Sequence, residues 1–429
     1  MPTGIVGSFK YILKLIEMED NYLKSKELNL DVSKKKQKRV LKVIFYPFKL
    51  LIAIFRTGWR PMLFGIVLAL LCRAYVLDIY GVSKPSMEPT LHSQEKGICD
   101  KVAVFKLAKL LCSFSRWDLC VFRKKNKGHN IVKRIVGLPG EWIKIKEGDV
   151  FIGKQPRKLK ILRKTPEELK RVLIPLTDLT IRRIAYPTDT IWNYNPKSWF
   201  FNGSECIALS NNAILEWRGL VHGGYITPEG EINLSSIAVK DFGLDVIWMP
   251  KTRDSNLTIK LLALGREFKA KVLTRKGLIF IFYNNENLFT VRSIRLAKGY
   301  PVHLTFIQAD CRIFLWVGTK SFYRDIPDWP PKENRITLKG KWNDIVVSIE
   351  NMGKIKDLKV LRDIYYGYIP GNEHGTGEKP ELVGMDEFYV LGDNSSFSED
   401  SRYYGPIKKS WIVGKAFLIV LPFKRFRWL

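Results

Sequence analysis

Apolar and polar residues alternate along most of the chain after residue 80. The segments "WDLCVFRKK" (117–125) and "EWIKIKEGDVFIGKQ" (141–155) alternate in this way, the second around a Gly148-Asp149 turn. Further along, "REFKAKVL", "PVHLTF" and "CRIFLWVG" alternate and are separated by turns such as "YNNEN". Short alternating strands between polar turns are typical of antiparallel sheets. The pattern predicts a mainly β protein with a β-sandwich-like tract over roughly residues 176–345.

Helix signals are few in this part of the chain. The clearest is "TPEELKRVL", in which Thr165 is a good N-cap and Pro166 suits the first helical turn. Glu168 stands three residues after Thr165 and completes a capping box. The sequence therefore predicts one short helix ahead of the sandwich-like tract.

Two apolar runs precede residue 81. The run Val43 to Phe55 is interrupted by Pro47 and by a charge at Lys49, which favours an interfacial helix. The run Pro61 to Tyr80 predicts a membrane-spanning helix, although its uncharged part ends at Cys72, short of the roughly 20 residues that a span needs. A buried core helix is the alternative interpretation of this second run.

The charge of the chain supports a membrane setting. The 429 residues carry a formal net charge of +29, and the cations include the cluster "KKKQKR" at 34–39. No zinc-finger, RNP or helix-turn-helix pattern accompanies them, so we predict an anionic lipid surface and no nucleic acid as the partner. Because Lys and Arg are dense before residue 61, the positive-inside rule predicts a cytoplasmic N-terminus and an external location for everything after residue 80.

The cysteines and histidines give no metal-binding pattern. Six cysteines include no close CxxC pair, and the five histidines show no HExxH spacing. We therefore predict no metal and no cofactor.

Three stretches combine residues that can perform catalysis: "GVSKPSMEPTLHS" (81–93), "HNIVKRIVGLPGEWI" (129–143) and "FYVLGDNSSFSEDSRYYGPI" (388–407). The hydroxyl of Ser86 is a weak nucleophile that needs an adjacent base. A lysine serves as that base only if it is neutral, whereas its ordinary pKa is about 10.4. Burial in an apolar setting lowers the pKa of a lysine, and Lys133 lies in an apolar run.

The motifs "SMEPTL", "KRIVGLPGE" and "GDNSSFSEDSRYYG", in this order after a predicted membrane anchor, resemble those of the bacterial type I signal peptidases (leader peptidases), which use a Ser-Lys dyad. The resemblance covers about 81–155 and 381–421. It implies Ser86 as the nucleophile, Lys133 as the general base and Ser398 as the hydroxyl that orients this base.

The resemblance also implies supporting residues. Asp393 matches the residue that pairs with the arginine after the base, here Arg134, and Asp400 with Arg402 matches a structural acid–base pair. The turn that presents the nucleophile to the substrate comprises Met87, Pro89 and Thr90.

Two features depart from the family pattern. Many members carry a Ser or Thr two residues before the nucleophile as an oxyanion donor, and here that position is Lys84. Either Ser83 or Lys84 is then the second donor, beside the backbone N–H of Ser86. The other departure is an insertion of some 225 residues, which resembles the long planctomycete-like form, and its sandwich resembles lectin-like jelly rolls.

The predicted fold is therefore a signal-peptidase-type β catalytic core with a large inserted β-sandwich, preceded by an N-terminal membrane helix. The predicted domains are a basic cytoplasmic segment (1–56), a transmembrane anchor (57–80), the first part of the catalytic core (81–155), the insertion (156–380), and the second part of the core with the C-terminus (381–429).

The resemblance implies a membrane-bound serine endopeptidase that cleaves signal peptides from exported preproteins through an acyl-enzyme. It implies a single-pass protein of the bacterial cytoplasmic membrane, with the catalytic domain on the outer face. Two alternatives stay open: a membrane-anchored carbohydrate- or surface-binding protein with a degenerate peptidase core, and a processing protease of narrow specificity. In both, an unidentified ligand or client binds the insertion.

Overall fold

The structure is a computed structural model. It describes the residues in the ranges 60–96, 99–111, 114–123, 128–178, 192–202, 204–217, 221–226, 232–233, 238–292, 296–326, 343–367, 373–377 and 379–429. The predicted basic segment 1–56, which includes the predicted interfacial helix at Val43 to Phe55, lies outside these residues.

Helices are short and few in the described residues. They are α1 (Arg60–Leu71), α2 (Ala108–Leu111), α3 (Pro166–Val172) and α4 (Ser401–Tyr404). The predicted capping box of α3 is confirmed, because the backbone N–H of Glu168 donates to Thr165 Oγ1 at 3.2 Å and that of Thr165 donates to Glu168 Oε2 at 2.7 Å.

The run predicted to span a membrane, within 57–80, does not form one continuous helix. Helix α1 has 12 residues and leads into a single π-helical segment, Cys72–Val76. The last residues of the run form strand β1 (Leu77–Gly81), which pairs antiparallel with β2 (Lys101–Phe105). The last residues of the run therefore form a paired strand where the sequence pattern predicts a helix. None of the helices in the described part of the chain has the length and apolarity that crossing a bilayer requires.

The predicted catalytic core, extended by one strand from the predicted anchor and one from the start of the predicted insertion, forms two sheets. Besides β1 and β2, its strands are β3 (Leu119–Phe122), β4 (Ile131–Gly137), β5 (Trp142–Lys146), β6 (Asp149–Gly153), β7 (Lys160–Ile161), β25 (Glu381–Leu382), β26 (Glu387–Leu391), β27 (Ile407–Lys408), β28 (Ile412–Leu421) and β29 (Arg427–Trp428). The larger sheet has the order β1-β2-β28-β3-β4-β26-β27, with β29 paired to β28, and the smaller has the order β25-β5-β6-β7. The two alternating segments predicted from sequence are thus confirmed as strands β3, β5 and β6.

The strands between these two groups are β8 (Ile174–Asp178), β9 (Trp192–Tyr194), β10 (Trp199–Asn202), β11 (Glu205–Ala208), β12 (Asn212–Trp217), β13 (Tyr225–Ile226), β14 (Ile232–Asn233), β15 (Phe242–Pro250), β16 (Asn256–Ala263), β17 (Arg266–Leu273), β18 (Leu278–Tyr283), β19 (Glu286–Val291), β20 (Val302–Ala309), β21 (Arg312–Val317), β22 (Lys320–Asp325), β23 (Asn343–Glu350) and β24 (Gly353–Arg362).

These strands form two large antiparallel sheets and the small pair β13-β14. One sheet has the order β10-β11-β24-β15-β20-β21-β22, with β8 beside β24, and the other has the order β19-β18-β17-β16-β23-β12-β9. Buried residues of both sheets, such as Trp248 and Phe306 of the first and Phe268 and Val347 of the second, belong to one apolar core. Since each sheet buries one face against this core, the predicted β-sandwich is confirmed.

A second apolar core joins the sandwich to the catalytic-core strands. It combines Val136 and Tyr389 with Leu169, Phe314 and other buried residues. The described residues from Leu77 onward, apart from 110–112, form one compact unit, and residues 60–76 belong to another. The predicted domain boundaries stay a prediction.

Candidate active site

Strand β4 carries the two basic residues of the site on opposite faces. It lies between β3 and β26 in the larger core sheet, and Lys133 and Arg134 are both almost fully buried. Because neighbouring side chains on a strand point to opposite faces, the two cations enter different surroundings. The predicted apolar, strand-like setting of Lys133 is confirmed.

Lys133 is hydrogen-bonded to a hydroxyl. Its Nζ donates to Ser398 Oγ at 2.8 Å, and Ser398 Oγ donates to Asp400 Oδ2 at 2.7 Å. Burial lowers the pKa of Lys133 to about 8, and the nearby Asp400 carboxylate only partly opposes this shift. A substantial share of Lys133 is therefore neutral near pH 8, as a general base must be.

The carboxylate of Asp400 is already matched by Arg402. The guanidinium donates to both carboxylate oxygens, from Nε at 2.9 Å and from Nη2 at 2.8 Å, and both side chains are fully buried. Burial alone would raise the pKa of Asp400, but Arg402 outweighs it and holds this pKa below its ordinary value. Since Arg402 shares this charge, Asp400 orients Ser398 without forming a direct ion pair with Lys133.

Arg134 pairs with Asp393 on the opposite face of β4. The guanidinium donates to Asp393 Oδ1 at 2.8 Å and to Oδ2 at 2.5 Å, a two-pronged geometry that fixes both groups. Thr90 Oγ1 also donates to Asp393 Oδ2, at 2.5 Å. The structure therefore places Arg134 beside Asp393, as the resemblance implies, and ties Thr90 and the loop after Ser86 to β4.

Ser86 lies in the 3-10 turn Pro85–Met87, directly before the buried side chain of Glu88. Asn394 holds this turn from the loop after β26: its backbone N–H donates to Ser86 O at 3.1 Å and its Nδ2 donates to Pro85 O at 3.0 Å. Pro89 follows the turn in the segment that leads to Thr90.

Gly392 permits the close approach of the two loops. A Cβ on this residue would lie 2.1 Å from Ser398 Oγ and 2.5 Å from Ser86 O, so any larger residue would displace one of them. The roles of Gly392 and Asn394 were missed by the sequence analysis. The only signal was their presence in the quoted motif "GDNSSFSEDSRYYG", which does not say which backbone atoms they approach.

Ser86 and Lys133 line the same cavity, which has a volume of about 290 Å³. Ser83, Lys84 and Phe397 belong to the same lining. The structure thus brings together the predicted nucleophile, the predicted base and both candidates for the second oxyanion donor at one solvent-reachable site. Which of Ser83 and Lys84 donates stays open.

One cluster in the described residues has the composition of a metal site. Carboxylate oxygens of Asp149, Asp241 and Asp310 lie within 4.8 Å of one another. However, Lys240 Nζ donates to Asp149 Oδ2 at 2.6 Å, and Lys164 Nζ donates to both oxygens of Asp310 at 3.0 Å. Because two ammonium groups already supply positive charge there, we assign no metal to this cluster.

Comparison with known proteins agrees with this geometry. Residues 56–193 and 354–421 match the family described as "Signal peptidase, peptidase S26". The chain is 30% identical over 118 residues to signal peptidase I of Bacillus licheniformis and 33% identical over 118 residues to signal peptidase I P of Bacillus subtilis subsp. natto. Each match covers 28% of this chain and 61% of the relative, so the chain spans about three fifths of the length of these relatives.

Solved structures resemble this chain only distantly. A protein of unknown function with a galectin-like fold from Bacillus subtilis covers 44% of this chain and 97% of its own length, with 6% identity and a TM-score of 0.29. The description of the sandwich therefore rests on its own sheet order and core. The motif-bearing segments of this chain are therefore similar to the signal peptidase family, peptidase S26, over residues 56–193 and 354–421, and to type I signal peptidases of Bacillus.

Proposed function

We propose that this chain is a serine endopeptidase that removes N-terminal signal peptides from exported preproteins. The observation that carries the proposal is the buried Lys133 amine, hydrogen-bonded to Ser398 and lining one cavity with Ser86. Neutral Lys133 accepts the Ser86 proton while the hydroxyl oxygen attacks the scissile carbonyl. The tetrahedral intermediate then collapses: the scissile C–N bond breaks, the Lys133 ammonium gives its proton to the leaving amine nitrogen, and an acyl-enzyme ester remains on Ser86 Oγ. The neutral amine next takes a proton from a water molecule that attacks the ester, and it returns this proton to Ser86 Oγ when the carboxylic acid product leaves.

The remaining groups of the site keep the base in place. Ser398 Oγ accepts a hydrogen bond from the Lys133 amine and donates its own hydrogen to Asp400. Because the amine is the donor to Ser398, the lone pair of neutral Lys133 stays available for a proton. Asn394 and Gly392 bring the loop with Ser398 against the turn with Ser86. The backbone N–H of Ser86 is one oxyanion donor in this mechanism.

We further propose that the chain is anchored in the bacterial cytoplasmic membrane with its catalytic unit on the outer face. The cation density before residue 61 supports this orientation, and the family's substrates emerge at that face. Reporter fusions at the N-terminus and after residue 429 test it. An external N-terminal reporter, or recovery of the chain in a carbonate-washed soluble fraction, contradicts the proposal.

A preprotein cleavage assay tests the enzymatic activity. We expect the full chain in detergent to release a signal peptide, Ser86→Ala to abolish cleavage, and Lys133→Ala to reduce it by about 10²–10⁴-fold. Lys158→Ala, a change of an exposed lysine outside the cavity that holds Ser86 and Lys133, is the matched control and should leave the rate unchanged. Equal processing by the wild type and both site variants contradicts the Ser-Lys mechanism.

A membrane-anchored binding protein with a degenerate core is not favoured, because the chain keeps the serine, the lysine and the orienting hydroxyl. A narrow substrate range imposed by the insertion is a refinement of the same activity. Comparing the cleavage of several preproteins tests it.

A further inference from the structure

A second and larger cavity lies on the Arg134 side of strand β4. Its volume is about 560 Å³. Its wall is built from the loop after Ser86, from helix α3 and from the chain around β29, which contribute Thr90, Lys170 and Arg427 among others. The cavity is therefore enclosed by both the core strands and the insertion.

The side chains that line this cavity are strongly unbalanced in charge. They include five cations, Arg134, Lys170, Arg171, Arg425 and Arg427, and one carboxylate, Glu167. An unbalanced cationic wall is unfavourable when the cavity holds only water and becomes favourable when an anion enters.

Two of the five cations have carboxylate partners. Arg134 bonds to Asp393, and Arg425 donates to Asp100 from Nε and from Nη2, both at 2.9 Å. The remaining three, Lys170, Arg171 and Arg427, form no ion pair with a carboxylate in the described parts of the chain. Three positive charges are thus available to a ligand.

Arg427 is held in place without its charge being neutralised. Its Nη2 donates to Thr90 O at 2.9 Å, and Arg425 Nη2 approaches the same oxygen at 3.4 Å. Desolvation and the repulsion of the neighbouring Arg425 guanidinium lower the pKa of Arg427. An anion between these groups would relieve the repulsion.

The rim of the cavity exposes aromatic residues. Trp428 belongs to the lining and is 73% exposed, while Phe423 and Phe426 are 82% and 58% exposed in the same terminal segment. Tryptophan side chains favour the interface between lipid and water. The two phenylalanines do not line the cavity, but they add exposed apolar surface close to Trp428 in the sequence. A ligand with an anionic group inside the cavity and an apolar part at the rim fits both features.

We propose that this cavity binds a phosphate group, carried either by a lipid headgroup or by a small soluble phosphate compound. Guanidinium groups bind phosphate oxygens in pairs of parallel hydrogen bonds, and the lysine adds a point charge. The site is distinct from the catalytic cavity, and its occupancy is measurable without any cleavage reaction. The proposal therefore stands or falls independently of the proposed peptidase activity.

Binding to the full chain in detergent tests the proposal. The probes are inorganic phosphate, glycerol 3-phosphate and dioctanoyl phosphatidic acid, with dioctanoylglycerol as the phosphate-free lipid, all at constant ionic strength in chloride. The variant Lys170→Gln/Arg171→Gln/Arg427→Gln removes the three available charges. The matched control Lys251→Gln/Lys276→Gln/Lys320→Gln removes three exposed lysine charges outside the cavity.

We expect saturable binding of a phosphate probe, measured by calorimetry and by a rise in melting temperature. The cavity variant should weaken it at least tenfold, and the control should leave it unchanged. Tighter binding of phosphatidic acid than of glycerol 3-phosphate identifies a lipid headgroup, whereas equal binding identifies a small phosphate compound.

Arg427→Lys keeps the charge but loses the paired hydrogen bonds, so it should weaken binding by a smaller factor. This variant replaces the triple one if that fails to fold. Absence of saturable binding by every phosphate probe overturns the proposal. Equal binding by the cavity variant and the control also overturns it.

Discussion

Two regions of the protein bury a lysine, and they shift its pKa in opposite directions. Lys133 in the candidate active site has its pKa lowered to about 8 by burial. Lys164, at the junction of the insertion and the core, is equally buried. Burial alone would lower its pKa too, but Asp310 and Asp363 outweigh this and raise it far above the ordinary value.

The difference lies in what the amine touches. Lys164 donates to both oxygens of Asp310 and to Asp363 Oδ2 at 2.6 Å, so its charge is fully matched. Lys133 touches a hydroxyl, and the nearest carboxylate is shared with Arg402. Burial therefore makes a lysine into a base only where the surrounding carboxylates are already neutralised.

Replacing Lys133 by methionine should have the largest effect on catalysis. Lys133→Met keeps the length of the side chain and removes the base, so we expect cleavage to fall by about 10²–10⁴-fold. The free energy of unfolding at pH 7 should not decrease, because the variant removes a buried amine that is costly to protonate. Chemical denaturation and the preprotein assay measure the two quantities. A large loss of stability with retained activity would reverse the roles that we assign to this residue.

The same substitution at the junction should act on stability instead. Lys164→Met leaves Asp310 and Asp363 buried without their cation, which typically costs about 3–5 kcal/mol. Chemical denaturation of the full chain measures this loss, and the rate per folded molecule should change little. A variant as stable as the wild type would contradict the assigned ion pairs.

The pH dependence of cleavage should report the pKa of Lys133. Because the proposed mechanism uses neutral Lys133 as the base, kcat/KM should rise with pH and reach half its maximum near pH 8. An activity that falls as pH rises from 6 to 8 would exclude this base.

The lowered pKa of Lys133 should also make the free energy of unfolding rise with pH. Between pH 8 and the ordinary lysine value, the unfolded chain holds a proton that the folded chain has released, so this group makes the free energy of unfolding rise with pH. This increase in the free energy of unfolding is complete above the ordinary lysine pKa of about 10.4 and amounts to about 3 kcal/mol. Denaturation of wild type and Lys133→Met across this range measures the difference, which should vanish if the amine is protonated throughout.

The smallest expected effect concerns an acid at the edge of the active site. Glu399 lines the catalytic cavity, and its charge raises the pKa of Lys133 slightly against the dominant effect of burial. Glu399→Gln should therefore move the midpoint of the pH–rate profile to lower pH by a fraction of a unit. Glu286→Gln, an exposed acid on β19, is the matched control. A shift to higher pH would show that Glu399 acts in another way.

Much of the local structure followed from residue patterns alone. Alternation identified β17, β20 and β21, and the residues around Thr165 identified helix α3, because strand pleating and helix capping are set by near neighbours. The same local reasoning was wrong over the last part of 57–80. There, the residues of β1 pair with a strand more than twenty positions away, and an apolar pattern does not reveal such a partner.

For this protein, the sequence by itself determined the chemical types at the site: a serine before a methionine, a lysine in an apolar strand, and a loop rich in hydroxyls and acids. The resemblance implied how the buried arginines of the site pair with acids, but only the tertiary structure decided the partners of the buried lysines. Lys133 bonds to a hydroxyl, whereas Lys164 and Lys240 bond to carboxylates. Arg402 and Asp400 meet within one loop, but Arg134 and Asp393 are 259 positions apart. The bonded partners of the buried lysines lie between 91 and 265 positions away from them. Because the pKa of a buried amine depends on charges brought within a few ångströms by folding, the neighbours of Lys133 in sequence do not by themselves set the pKa that its proposed role requires.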